Sequence, residues 1–191
     1  MAVSLDLTTV ATATGADTGL VIDTVSCFAT GTRLAVLGGL QTVETLAVGD
    51  LLLTESGAAR PAIWIGRREV DCARHAYPET VWPVLVKAHA FGPSQPRIDL
   101  VLSPEHAVHI ADVLIPIRNL IDGINIVQIP TDHITYWHVE LATHDVLLAE
   151  GLPCESFLDN GQRGAYATPC APLRTQGPHV ESARALIREA A

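Results

Sequence analysis

Cys27 stands in the run Ser26-Cys27-Phe28-Ala29-Thr30-Gly31-Thr32, its thiol one residue beyond the Ser26 carbonyl. A thiol so placed can attack that carbonyl and turn the Ser26–Cys27 amide into a thioester, an N-to-S acyl shift. The step needs a base or positive field for a thiol of pKa near ~8.5, stabilisation of an oxyanion, and a donor for the leaving nitrogen. His106 answers the last need. It ends the turn Ser103-Pro104-Glu105-His106 between two apolar runs, and the proline keeps Ser103 extended, so Ser103 and His106 can be aimed at one point. A histidine can protonate an amide nitrogen, or twist the peptide through a hydrogen bond; about 12° of twist costs roughly 1 kcal/mol. Taken singly, each has a plainer reading. Cys27 is then a small buried hydrophobe leading Phe28 into the core, and His106 a turn histidine on a carbonyl.

The other chemistry-bearing residues carry less. His75, His89, His109, His133 and His179 match no motif and read as surface or hydrogen-bonded core residues. No H-x-x-x-H or H-E-x-x-H occurs, so no metal or other cofactor is expected. Cys72, Cys154 and Cys170 form no C-x-x-C pair with each other or with Cys27, which gives no disulfide framework and no structural zinc site. Asp17-Thr18-Gly19 has the form used by aspartic proteases, but no second copy completes a dyad, and a turn is the simpler reading. Trp64, Trp82 and Trp137 read as core or rim aromatics, and Asp50 as a structural turn residue.

The elements that must position these groups are short β runs separated by turns. They fall at residues 20–25, 34–37, 43–46, 51–53, 62–65, 81–86, 100–102, 107–110, 114–117, 124–129, 134–141 and 146–148. Residues 117–120 suit one helical turn. The only good helix is at 180–189, behind a Pro-rich linker at 168–178, and it is expected to lie outside the core. The chain is thus read as an all-β domain at 25–158, a flexible leader at 1–24, and a linker plus C-terminal helix at 159–191. Its 191 residues suit one domain with a full core. A net charge of −9 with no Lys/Arg cluster argues against nucleic acid and anionic membrane as partners. No apolar run reaches the length of a bilayer span, and residues 1–19 lack the basic and apolar regions of a standard secretory signal.

Four stretches taken in order resemble the Hint (Hedgehog/intein) family of self-processing domains, and within it the bacterial Hint branch. Cys27-Phe28-Ala29-Thr30-Gly31-Thr32 with Val43-Glu44-Thr45-Leu46-Ala47-Val48-Gly49-Asp50 resembles the opening block, a nucleophile and a Gly-Asp turn. Leu102-Ser103-Pro104-Glu105-His106 resembles the T-x-x-H block, with serine for threonine. Tyr136-Trp137-His138-Val139-Glu140-Leu141 with His144-Asp145 and the following apolar run resembles the penultimate block. Leu152-Pro153-Cys154-Glu155-Ser156 lies where inteins end, and Trp64-Ile65-Gly66-Arg67 and Ala149-Glu150-Gly151-Leu152-Pro153 match the bacterial branch.

The resemblance implies a flattened horseshoe of long bent strands with pseudo-twofold symmetry. It implies catalytic roles for Cys27, Ser103, His106 and His144, and for His138 by strand alternation, a one-residue slip putting Trp137 there instead. Cys154 gains interest by lying near the expected C-terminal end of the site. The substrate would be the chain's own N-terminal segment, and the resolving nucleophile water or a thiol. One departure bears on outcome: Glu155-Ser156 replaces the terminal His-Asn, so asparagine cyclisation has no reactant and full splicing is not expected. Two other functions compete, a β-rich binding or adaptor module that has lost the chemistry, and a Cys-His hydrolase acting on other chains.

Overall fold

A computed structural model describes residues 26–158 and 169–190. The expected leader at 1–24, the run at 20–25 and the segment 159–168 lie outside the described residues. Within them the chain folds as antiparallel strands with a C-terminal α-helix. The first strands are β1 (Phe28–Ala29), β2 (Arg33–Val36), β3 (Gly39–Thr42), β4 (Leu51–Leu53) and β5 (Ala59–Asp71). They are followed by β6 (Val84–Val86), β7 (Leu100–Leu102), β8 (Ala107–Ile110), β9 (Val113–Pro116), β10 (Ile126–Gln128), β11 (His133–Leu141), β12 (Val146–Ala149) and β13 (Leu152–Glu155). The spatial order is β10-β6-β7-β1-β11-β5-β4-β2-β12-β13-β8-β9, with β3 paired to β2. The chain is all-β with a C-terminal helix, as the sequence predicts.

Two long strands set the plan. The start of β5 pairs with β4 and the rest with β11, so this one strand joins the two halves of the order. Ala62, Gly66 and Val70 are buried and Trp64 and Arg68 between them half-buried, while Ile63, Arg67 and Glu69 stay outside, the period of two that a half-buried strand requires. β11 runs opposite it until a bulge between Glu140 and Leu141 shifts the register. β1 is only two residues long, yet Phe28 pairs with Trp137 of β11 on one side and Leu102 of β7 on the other. The Phe28 ring is fully buried, worth about 1.5–3 kcal/mol, and it anchors the chain directly after Cys27.

Two expectations change. Residues 43–45 form a 3₁₀ turn rather than a strand, because Val43 and Leu46 stand three apart and both turn into the core, a spacing that 3₁₀ geometry aligns. The C-terminal helix α1 (Pro178–Glu189) is not an appendage: Val180, Ala183 and Ile187 make one apolar face that joins the main core. Asn125 Nδ2 donates to the Ile187 carbonyl at 3.0 Å, and Arg184 Nε to that of Asn119 at 2.9 Å. The expected helical turn at 117–120 is present as Ile117–Leu120, the surface on which α1 rests.

Candidate active site

The short strand β1 explains why distant residues meet. Cys27 precedes it, so the cysteine enters between the end of β7, which runs into Ser103, and β11, which carries His138. Ser103 brackets Cys27 by its backbone and side chain. The Cys27 N–H donates to Ser103 Oγ at 3.0 Å, and the Ser103 N–H donates to the Cys27 carbonyl at 3.0 Å. The nitrogen that would leave is therefore held by a hydroxyl, a group able both to accept and to donate.

His138 meets the other side of the same peptide. Its Nδ1 lies 3.1 Å from the Ser26 carbonyl oxygen, and its Nδ1 and Nε2 lie 3.6 and 3.5 Å from Cys27 Sγ. Since the carbonyl only accepts, this contact selects Nδ1–H, leaving the Nε2 lone pair to receive a proton. The sulfur is almost equidistant from both nitrogens, so a small rotation would have to precede any transfer of its proton to Nε2. Strand alternation thus places His138 at the thiol, whereas Trp137 turns away and donates from Nε1 to Thr30 Oγ1 at 2.9 Å.

Packing fixes the His138 ring. It stacks on Trp64 with centroids 5.9 Å apart and meets Phe157 edge-on at 5.1 Å. Trp64 can reach it because Gly66 lies opposite His138 in the β5–β11 register and the indole folds across the glycine. A Cβ on Gly66 would fall 2.1 Å from Trp64 Cη2. The Trp-Ile-Gly-Arg segment therefore serves to make room for a ring that braces a histidine.

His106 is completely buried, and its ring packs on Phe28 at 4.3 Å between centroids. Nε2 lies 3.1 Å from the Glu155 carbonyl oxygen and so donates to it. Nδ1 finds no partner at good geometry, although the Cys27 backbone is close enough to favour the charged ring. Burial outweighs that and the nearby Glu155 charge, and it lowers the His106 pKa from its ordinary 6.5. The sulfur's hydrogen-bonding neighbour is thus His138, while His106 attends the Cys27 backbone.

His144 joins indirectly. Its Nε2 donates to the Ser156 carbonyl at 2.9 Å and faces Glu155 Oε2 at 3.5 Å, while the Cys170 N–H donates to Nδ1 at 2.9 Å. Burial lowers the His144 pKa, yet Cys170 and Glu155 outweigh it and push it up to about 9. An amide aimed at Nδ1 demands a lone pair there, which a charged ring lacks. The two contacts therefore compete: the neutral Nε2–H ring keeps the Cys170 N–H on Nδ1, and protonating Nδ1, which Glu155 favours, breaks that contact.

The residue that sequence reasoning passed over is Glu155. It is buried at the end of β13, Oε1 accepts from the Ser26 hydroxyl, and the Ala107 N–H donates to the same oxygen at 2.8 Å. Burial opposes its ionisation, but His144, His106, Ser26 and Ala107 together hold the carboxyl below its ordinary 4.5. The available signal was a charge closing the apolar run Leu152-Pro153-Cys154, since carboxylates on such runs are seldom buried without partners. Cys72 and Cys154 stand apart from this chemistry, and Cys170 reaches it only through His144. Burial pushes the Cys72 thiol up and the Cys154 thiol well up, and Cys154 lies in the main core. Asp50 is a turn residue, accepting from the Ala47 N–H at 2.9 Å. Among the described residues, no group of three or more His, Cys, Asp or Glu is arranged to hold a metal ion.

The family model described as "Hint domain" matches residues 26–161. Three solved structures show similarity at low identity. The gp41-1 intein crystal structure is 12% identical over 68% of this chain and 97% of its own, with a TM-score of 0.46. The splicing domain of the Msm DnaB1 intein, bound with zinc, is 15% identical over 66% and 98%, with a TM-score of 0.48. A bacterial intein-like domain from Clostridium thermocellum is 10% identical over 67% and 96%, with a TM-score of 0.43. No curated protein matches.

Proposed function

The chain belongs to the Hint domain family, and from that premise we propose that it processes itself by an N-to-S acyl shift at Ser26–Cys27, releasing the segment before Cys27 without splicing. The observation that carries this reading is the hold on one peptide. Its oxygen lies on His138 Nδ1, its nitrogen on Ser103 Oγ, and the adjoining thiol beside the same histidine.

The chemistry follows from that hold. His138 Nε2 takes the thiol proton, and Sγ attacks the Ser26 carbonyl carbon. The resulting imidazolium faces the oxyanion through Nδ1–H, so charge develops where a donor already waits. As the C–N bond breaks, the nitrogen needs one proton; the Ser103 hydroxyl delivers it, drawing on the proton His138 removed. His106, bare at Nδ1 and donating from Nε2 to the Glu155 carbonyl, carries no proton for this nitrogen; its ring packs on Phe28 and so helps to seat Cys27. Net transfer is of one proton from sulfur to nitrogen and of one acyl group from nitrogen to sulfur. Water or a thiol then takes the acyl group from Cys27, freeing the N-terminal segment. At the other end, Glu155-Ser156 offers no amide side chain to cyclise, so the C-terminal tail stays attached.

The test is intact mass against time for the purified chain with and without excess dithiothreitol. The reading predicts a fragment beginning at Cys27, formed faster with thiol and absent in Cys27→Ala. A chain that stays whole over days in excess thiol is a binding module with a Hint fold and no Hint chemistry.

A further inference from the structure

Ser26 is the acyl donor in the reaction proposed above, and the inference that follows rests on that reading. Its residue is held twice. The carbonyl oxygen meets His138 Nδ1 at 3.1 Å, and the side-chain hydroxyl donates to Glu155 Oε1. The two contacts come from different strands, β11 and β13, so together they fix the Ser26 side-chain torsion and the plane of its carbonyl relative to Cys27 Sγ. Orientation of this kind lowers a barrier without touching the bond that breaks.

Glu155 is suited to reading that hydroxyl. Among the described residues no Lys or Arg pairs with it. Its donors are Ser26, Ala107 N–H at 2.8 Å and the more distant His144 Nε2 at 3.5 Å, with His106 favouring its charge from nearby. A buried carboxylate so sparsely compensated gains from each donor and loses when one is replaced by a methyl group. An acidic side chain at position 26 would bring like charge against it.

We infer that Glu155 selects the residue on the acyl side of the reacting bond, and that this site takes a small hydroxyl side chain, serine or threonine, before Cys27. The closing experiment is single-turnover cleavage by hydroxylamine in chains carrying Ser26, Ser26→Thr, Ser26→Ala, Ser26→Val or Ser26→Asp. Threonine should keep a rate near that of serine. Alanine should lose about tenfold, the worth of one charge-assisted hydrogen bond. Valine should lose at least as much, and aspartate the most. In a Glu155→Ala chain the serine-over-alanine preference should vanish, whereas Glu155→Gln, which keeps an acceptor oxygen, should keep part of it. Should Glu155→Ala fail to fold, the Ser26 series alone decides, because it alters a residue ahead of the first strand. A readout free of cleavage comes from unreactive Cys27→Ala: there Ser26→Ala should raise the Glu155 carboxyl pKa measured by carbon NMR. Equal rates for serine and alanine, or an unmoved Glu155 titration, would overturn the inference and leave the acyl shift standing. No hydroxylamine product from the unaltered chain would overturn both.

Discussion

The Ser26–Cys27 and Glu155–Ser156 linkages are joined through the Ser26–Glu155 hydrogen bond, and each has a histidine on its carbonyl. His138 Nδ1 lies 3.1 Å from the Ser26 oxygen, and His106 Nε2 lies 3.1 Å from the Glu155 oxygen. Each linkage is followed by a residue with a nucleophilic side chain. The resemblance ends there. Cys27 offers a thiol beside a basic nitrogen, whereas the less acidic Ser156 hydroxyl is engaged, with Asp145 N–H donating to its oxygen at 3.1 Å. The leaving nitrogens differ too. The Cys27 nitrogen donates to the Ser103 hydroxyl, but the Ser156 nitrogen donates to the Asp145 carbonyl at 2.9 Å, which has no proton to return. A histidine on a carbonyl is thus common to both, and under the proposed acyl shift the nucleophile and what attends the nitrogen would set the difference between them.

That contrast is broken most severely at the histidines. His138→Ala should slow cleavage at Ser26–Cys27 by roughly 10²–10⁴-fold, the share of a positioned proton carrier, while His144→Ala should stay near the wild-type rate. Time courses of intact mass decide it, and equal losses would show that His138 has no special place at the Cys27 thiol. Ser103→Ala removes the hydroxyl at the leaving nitrogen and should cost about tenfold, one hydrogen bond's worth, with Ser103→Thr retaining most of the rate.

The pH response sharpens the role of Glu155, on which both linkages converge. A carboxyl held below 4.5 stabilises the fold above that value, and the contribution is lost as pH falls through its lowered folded pKa. His106, buried and shifted below 6.5, is also at full benefit above its unfolded value and loses it on acidification. The melting temperature should therefore decline as pH drops below 6.5 and again below 4.5, and Glu155→Gln should flatten the lower step in a calorimetric pH series. The smallest effect is expected from Ser156→Cys. It gives the second linkage the better nucleophile but leaves its nitrogen on the Asp145 carbonyl, so no fragment beginning at residue 156 should appear by mass spectrometry.

How much of this was legible in the sequence depended on distance along the chain. Ser103 and His106 share one turn, and the proline between them implied a common aim. His138 followed from alternation because β11 stays regular until the bulge after Glu140, beyond the site. Glu155 escaped because its partner Ser26 is 129 residues away and Ala107 is 48 away, and no local pattern encodes either contact. The sulfur's closeness to His138 escaped for the same reason: it depends on β1 entering between β7 and β11. For α1, the spacing of Val180, Ala183 and Ile187 marked an apolar face, but the surface that receives it is built from Ile117–Leu120 and could be found only in three dimensions.

The central claim is that the acyl group of Ser26 moves onto Cys27. Hydroxylamine tests it most directly, because it converts a thioester into a hydroxamate on the released acyl fragment. The purified chain should yield an N-terminal fragment ending in a Ser26 hydroxamate and a partner beginning at Cys27, and Cys27→Ala should yield neither. A fragment ending at any other residue, or the same fragment from Cys27→Ala, would contradict it.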